Sequence, residues 1–436
     1  MFKNSARKRT ICRSNNIVQI SENVGINRRS DCNGFDIVIG NPPYVESRSS
    51  NFPDSLKNAL QNSIAKRYDS ETSKSFPRGA DLLIFFYELS FRLINSKGIN
   101  TFITENAWLS TDYGKVFQDY LLKNIGVQGI IDSDYKYFET ADINTVITFF
   151  RKEKRDDVVF FHCHDNFSDH HCNTLDSNAN KGKIDILRFE TSSSMLHSYK
   201  WGFLSSTKPE LISLLNKMCK INDIEFQGKI EIGQGLNLTK DKVLTVQTKN
   251  TVPFYISDNG PKYNWESSLF YVDKENISET RRIPLMFLPR GLGTHFCCMN
   301  EIAGFTSSYV EIYEKENLTD IEKLCIWIFC NSSLLWLLRE YTGRCNLGGG
   351  MLKAEATDLK SLPLCFRFGN IQEMQDIYNL SKGKSNPTDI NDSLNTEIHK
   401  RIDKLVYDFF QLKDSDFFTQ MLADRVKWRN KKSKSK

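Results

Sequence analysis

Residues 35 to 44 read FDIVIGNPPY. The run "FDIVI" has the β-branched, apolar character of a strand buried in a parallel sheet, and "GNPPY" ends it, because neither proline carries an N–H and each fixes its φ angle. A tight turn at the carboxyl end of such a strand is where open α/β sheets place ligands. This turn presents two acceptors in a rigid frame, the side-chain oxygen of Asn41 and the carbonyl of Pro42. That arrangement suits gripping an amino group.

Outward from this turn, short β-branched runs alternate with helical stretches from residue 35 to residue 152, the pattern of a parallel sheet with covering helices. "INTFITEN" (99–106), "VQGIIDSD" (127–134) and "NTVITFFRK" (144–152) read as further strands. "ADLLIFFYELSFRLINSKG" and "TDYGKVFQDYLLKNIG" read as the intervening helices, stopped at Gly98 and Gly126. The polar stretch from Glu153 to Lys183 reads mostly as a connector. A short strand and the amphipathic "KPELISLLNKMCK" follow, and then an irregular, strand-rich region from about 226 to 365 that ends in "DIEKLCIWIFCNSSLLWLLREY". "EIHKRIDKLVYDFFQL" reads as a last helix, and no internal repeat is found.

A chain of 436 residues is long enough for two or three domains, and 40% apolar with 25% charged residues is a globular composition. No apolar stretch approaches the roughly 18 residues that span a bilayer, and the basic "MFKNSARKRTICRSNN" is not followed by a signal-like apolar segment. Eleven cysteines, scattered and without a CxxC pair, suit reduced thiols in a cytoplasm. The net charge of +5 is mild, but the last twelve residues, "RVKWRNKKSKSK", carry seven Lys or Arg and no acid. They read either as a phosphate-contacting tail or as a solvated, disordered end.

"NPPY" after a strand resembles the catalytic motif of the adenine-specific DNA amino-methyltransferases of restriction–modification systems. The resemblance implies that Asn41 and Pro42 accept the two amino hydrogens, that Pro43 supports the turn, and that Tyr44 stacks on a base flipped from the duplex. It implies S-adenosylmethionine as the cofactor and double-stranded DNA as the substrate. "GADLLIFFYE" and "TFITENAWLSTDYGKVFQDYLL" look like the family's next segments, which places Asp81 as a cofactor-binding candidate. "IIDSDYKYFETADINTVITFFRK" resembles the strands that complete the sheet, with Phe138 where the family often has an aromatic against the flipped base; Tyr137 is the alternative. "FQGKIEIGQGLNLTKDKVLTV" and "CNSSLLWLLREYTGRCNLGGGMLKAEATDLKSLPL" resemble the opening and close of a target-recognition region, with Arg281, Arg282, Arg290, Arg344 and Lys353 as DNA-contact candidates. The fold class expected is α/β, the second half of a Rossmann-like methyltransferase sheet, then a mixed α+β recognition domain and a C-terminal helix. The implied division is 1–152 for the partial catalytic domain, 153–225 for the connector, 226–365 for target recognition, and 366–436 for the helical end with its basic tail.

The family also uses a glycine-rich turn after an upstream strand to approach the cofactor. The forty residues before the motif contain no such turn, so either a separate polypeptide supplies the cofactor-binding half or the chain is a truncated remnant or a misassigned start, and the isolated chain is expected to methylate little or not at all. "GQGLN" (233–237) and "LGGGM" (347–351) read as turn glycines. "HCHDNFSDHHC" (162–172) holds four His and two Cys in irregular spacing and reads as a polar surface loop before a zinc site. "DSETSK" (69–74) has residue types found in nucleases but reads as a loop, and any restriction endonuclease is expected as a partner. No metal and no membrane are expected. A non-catalytic DNA-recognition subunit is the competing reading, and RNA or a protein glutamine are competing acceptors.

Overall fold

The computed structural model describes residues 9–13, 16–20, 34–133, 144–154, 157–163, 186–192, 196–197, 199–206, 208–238, 242–255, 270–292, 295–344, 352–413 and 415–434. These divide into two compact units, Met1–Thr207 and Lys208–Lys436.

The first unit opens with an antiparallel hairpin, β1 (Arg9–Arg13) and β2 (Asn16–Ile20), and is then built on a six-stranded sheet. Its strands are β3 (Phe35–Gly40), β4 (Ile94–Glu105), β5 (Gly126–Ser133), β6 (Thr145–Arg151), β7 (Asp157–Cys163) and β8 (Ile186–Ser192), in the order β3-β4-β6-β5-β7-β8. β3 runs parallel to β4 and β5 parallel to β7, while β6 is antiparallel to both β4 and β5. Helices α1 (Asp54–Ala65), α2 (Leu82–Leu93) and α3 (Asp112–Asn124) fill the crossovers. The core gathers around Tyr87 of α2, whose ring lies 5.1 Å from Phe102, 5.3 Å from Phe150 and 5.6 Å from Phe117. Its buried hydroxyl is satisfied by Thr148 at 2.8 Å, as a buried phenol must be.

The structure departs from two expectations. The stretch after residue 152 is not simply a connector: the run "DVVFFHC" forms β7, which pairs with β5 and carries β8 on its far edge. Gly98 does not stop a helix, because α2 ends at Leu93 and β4 begins at Ile94. Gly98 lies inside that strand, where the register with β3 shifts and a Cβ would meet the Phe35 carbonyl at 2.5 Å. Only glycine allows the two backbones to approach so closely.

The second unit carries a four-stranded antiparallel sheet of β14 (Cys298–Met299), β12 (Met286–Pro289), β16 (Tyr309–Glu314) and β9 (Ile230–Gln234). Beside it are a three-stranded sheet of β11 (Phe270–Asp273), β10 (Thr251–Tyr255) and β15 (Phe305–Thr306), and a short ladder of β13 (Gly291–Leu292) with β17 (Leu352–Lys353). Its helices include α4 (Pro209–Ile221), α5 (Asp320–Cys330), α6 (Ser333–Thr342), α7 (Ile371–Ser381), α8 (Glu397–Phe410) and α9 (Ser415–Lys434). The segment 320–341, with the sequence pattern of one helix, is two helices bent by 60°. Ser332 causes the break, since its hydroxyl accepts from the Leu335 N–H and so caps α6. No single helix among the described residues is long and apolar enough to cross a membrane.

Nor is the basic tail a disordered end as far as Lys434: it forms α9. Arg429, 3% exposed, makes a bidentate pair with the buried Glu340 of α6 at 2.9 and 3.0 Å. Glu340 also contacts His295 at 2.7 Å. Burial alone would raise the Glu340 pKa, but His295 and Arg429 outweigh it and hold it at about 2. Removing one partner of such a pair strands a buried charge. Arg429→Ala is therefore expected to lower the stability of the second unit by about 3–5 kcal/mol. Urea unfolding followed by tryptophan fluorescence checks this, and a loss under about 1 kcal/mol would contradict it.

Candidate functional site

β3 delivers its chain to the carboxyl edge of the sheet, where residues 41 to 47 form the loop of interest. Gly40 is required at the exit, because a Cβ there would lie 2.8 Å from the Phe102 ring on β4. Pro42 is buried, while Asn41 and Pro43 are exposed and Tyr44 is half-buried. Thus the first proline anchors the turn and the Asn side chain stands in the open. The Tyr44 hydroxyl reaches the Ile103 carbonyl at 3.4 Å, a long contact. Burial, then the charge of Glu105, push the Tyr44 phenol up to about 12, so it stays neutral at physiological pH.

The loop is held from behind by Asp81. This residue is the N-cap of α2, yet its side chain makes no capping bond to its own helix. Its Oδ1 instead accepts the Ser47 N–H at 2.7 Å, and its Oδ2 accepts the Tyr113 hydroxyl of α3. The Leu82 N–H, at the first turn of α2, donates to the Val45 carbonyl at 3.0 Å, and the Val45 N–H to the Pro43 carbonyl at 3.1 Å. Asp81 is 6% exposed and lies against Glu105, the last residue of β4, which is 8% exposed. Burial, followed by the charge and hydrogen bond of Asp81 and the charge of Glu46, push the Glu105 carboxyl up to about 8. The family resemblance singles out Asp81 as a cofactor contact but does not reach Glu105 or Tyr113. A signal for Glu105 is present, since an acid ending an otherwise apolar β4 has few reasons to be buried.

Among the DNA-contact candidates, Arg290, Arg344 and Lys353 come together on one carboxylate, Glu355. Arg290 is bidentate to it at 2.6 and 3.0 Å, Lys353 approaches at 3.0 Å and Arg344 at 3.6 Å. Main-chain bonds fix the group: Arg344 and Lys353 exchange N–H and C=O at 2.8 and 2.9 Å, and the Ala354 N–H donates to the Arg290 carbonyl at 2.9 Å. The three cations remain about a third exposed, so the cluster carries a surplus of positive charge at the surface. Arg281 and Arg282 do not reach Glu355: they pair with Glu311 and Glu231, and Arg282 also sits 4.8 Å over the Tyr313 ring. Phe138, Tyr137, residues 164–172 of the His/Cys-rich stretch and residues 345–351 with the triple glycine lie outside the described residues.

The first unit is thus an open, mixed sheet with an Asn-Pro-Pro-Tyr turn at the carboxyl end of its edge strand β3, and known proteins resemble parts of this chain. Residues 2–138 match the family model described as Eco57I restriction-modification methylase. The chain is 23% identical over 240 residues to the type II restriction enzyme and methyltransferase RM.Eco57I of Escherichia coli, spanning 54% of this chain and 22% of that one. It is 29% identical over 98 residues to the type II methyltransferase M.BstVI of Geobacillus stearothermophilus, spanning 22% of this chain and 16% of that one. The chain thus covers less than a quarter of the length of these curated relatives. In fold it is similar to the type IIL restriction-modification enzyme MmeI, solved in complex with DNA, with a TM-score of 0.51 and 12% identity over 91% of this chain and 57% of that one.

The roles assigned to the loop give opposite expectations for two neighbours. Asn41 is exposed, so Asn41→Ala is expected to change stability by no more than about 0.5 kcal/mol. Asp81→Ala strands the Ser47 N–H and is expected to cost about 1–3 kcal/mol in the first unit. Thermal unfolding of both variants distinguishes them, and equal losses would contradict the assignment.

Proposed function

We propose that the chain is the amine-binding and DNA-recognition part of a site-specific adenine methyltransferase of a restriction–modification system. It acts on the exocyclic amino group of an adenine flipped out of double-stranded DNA, with S-adenosylmethionine as the methyl donor. The observation that carries this reading is the rigid 41–44 turn at the carboxyl end of β3, with Pro42 buried, Asn41 exposed and the loop tied to Asp81. In the reaction Asn41 Oδ1 and the Pro42 carbonyl accept the two amino hydrogens, which turns the nitrogen lone pair outward. Tyr44 offers its neutral ring as the stacking face. A neutral aromatic amine needs orientation and polarisation, not a nucleophilic side chain, so these acceptors are the chemistry required.

The described residues do not make a full cradle for S-adenosylmethionine. β3 is the edge of the sheet, with no strand bonded beyond it among the described residues, and its Ile37 and Ile39 are 53% and 76% exposed on one face. An apolar strand in that state fits a site for further sheet. The cofactor-binding half is assigned to further sheet that packs there. A restriction endonuclease is the further expected partner, and a cytoplasmic location follows from the DNA substrate.

Two measurements test the reading. The chain is combined with a polypeptide that carries a glycine-rich cofactor half, tritiated S-adenosylmethionine and DNA. Label in DNA that falls at least about a hundredfold in Asn41→Ala supports catalysis. DNA binding without label in either protein would leave a recognition subunit, and label in RNA or protein in preference to DNA would change the substrate class. For DNA contact, Arg344→Ala and Lys353→Ala are each expected to reduce the slope of log affinity against log salt by about one. Unchanged slopes would remove the Glu355 cluster from the interface.

A further inference from the structure

Gln234, the last residue of β9, is an exposed neutral side chain set among cations. Its main-chain carbonyl accepts Arg281 Nη2 at 2.7 Å. One terminal atom of its side-chain amide lies 2.6 Å from Arg290 Nη1 and 2.9 Å from Arg290 Nε. A guanidinium only donates, so that atom is the oxygen. Arg290 is itself bidentate to Glu355, which also holds Arg344 and Lys353. Gln234 therefore links Arg281 to the Glu355 cluster, and its orientation is set: with the oxygen on Arg290, the NH2 group points away from the guanidinium.

The backbone beneath it is equally constrained. A Cβ at Gly233 would lie 2.8 Å from the Tyr313 ring, and one at Gly235 would lie 2.6 Å from Thr306 Oγ1, so glycine on both sides permits the close approach that places Gln234. The Gly235 and Leu236 N–H groups donate to the Tyr309 and Thr306 carbonyls, each at 2.8 Å. A flexible side chain is thus ordered before any partner arrives.

Cations on a DNA-binding surface contact phosphates and set register, whereas neutral amides read base edges. A glutamine with both ends free reads adenine, its oxygen accepting from N6 while its NH2 donates to N7. Gln234 lacks that option, because its oxygen is committed to Arg290 and only its N–H groups face outward. In the major groove guanine alone offers two acceptors side by side, N7 and O6. We propose that Gln234 is a specificity-determining residue that reads guanine in the recognised DNA, with Arg290 fixing its amide so that adenine is refused. This inference deepens the reading of the second unit as a DNA-recognition part and rests on it.

The test is selection of randomised duplex DNA by the full chain at one fixed salt concentration, with sequencing of the bound fraction. The wild type is expected to enrich a sequence containing a guanine that Gln234→Ala no longer distinguishes. The loss is about tenfold or more in preference at that one position, with the other positions kept. Gln234→Glu, which puts an acceptor where the donor was, is expected to turn the preference on that strand to cytosine or adenine. Arg344→Ala, a phosphate-contact candidate, gives the contrast, since it weakens binding to all sequences alike. A change in Gln234→Ala at a position that does not specify guanine, or guanine retained in Gln234→Glu, overturns the proposal. A wild type that enriches no sequence rejects the DNA-recognition reading and this inference together. An enriched sequence left unchanged by Gln234→Ala rejects this inference alone.

Discussion

The geometry of the candidate site depends on where Asp81 directs its carboxylate. As an N-cap it would satisfy its own helix and gain about 1 kcal/mol. It turns away from α2 and takes the Ser47 N–H and the Tyr113 hydroxyl instead. Hydrogen bonds to a charged group are worth about 1.5–3 kcal/mol net, so the exchange favours the loop. Two prolines make the 41–44 turn stiff but cannot place it, because stiffness without donors leaves the turn free to swing as a body. Placement comes from Pro42 in the core, from the Leu82 N–H on the Val45 carbonyl, and from Asp81. The consequence is a second buried acid, Glu105, beside the first.

The two units treat charge differently. In the first, Asp81 and Glu105 lie buried behind the 41–47 loop that is proposed to receive an uncharged amine. In the second, cations gather on a single acid: Glu355 aligns Arg290, Arg344 and Lys353 through contacts at 2.6, 3.6 and 3.0 Å and leaves positive charge over. In the proposed DNA contact, such an acid would order long side chains before a phosphate arrives and reduce the entropy lost on binding. Arg429 shows the opposite use, a cation in a tail that sequence alone reads as phosphate-contacting or solvated and that the fold has buried against Glu340.

Much of the first unit is legible in the sequence because its periodicities are clean. "FDIVIG" forms β3 as its pattern implies, and the strand patterns at 127–134 and 144–152 fall within a residue of β5 and β6. What misleads are local signals overridden by neighbours. "VVFF" at 158–161 is a strand-forming run, but its polar surroundings mask it, and only pairing with β5 reveals it. Gly98 carries a helix-stop signal that is real for many glycines, and here it serves a close backbone approach in β4 instead. The "NSS" between α5 and α6 is a capping signal inside a continuous apolar pattern, and the cap prevails. At the site, Asn41 to Tyr44 are readable because prolines restrict the backbone by themselves. The buried acid behind them is not, because Glu105 meets Asp81 only when α2 packs against β4.

The central claim is the proposal that this chain grips the amino group of adenine beside a cofactor-binding half that packs at the β3 edge. The most direct measurement is the identity of the modified base. DNA incubated with the chain, a polypeptide carrying the cofactor half and S-adenosylmethionine is digested to nucleosides and analysed by mass spectrometry. The predicted result is N6-methyladenine that requires both polypeptides. A methyl group on cytosine, or no methylated base from a combination that binds both DNA and cofactor, would contradict it.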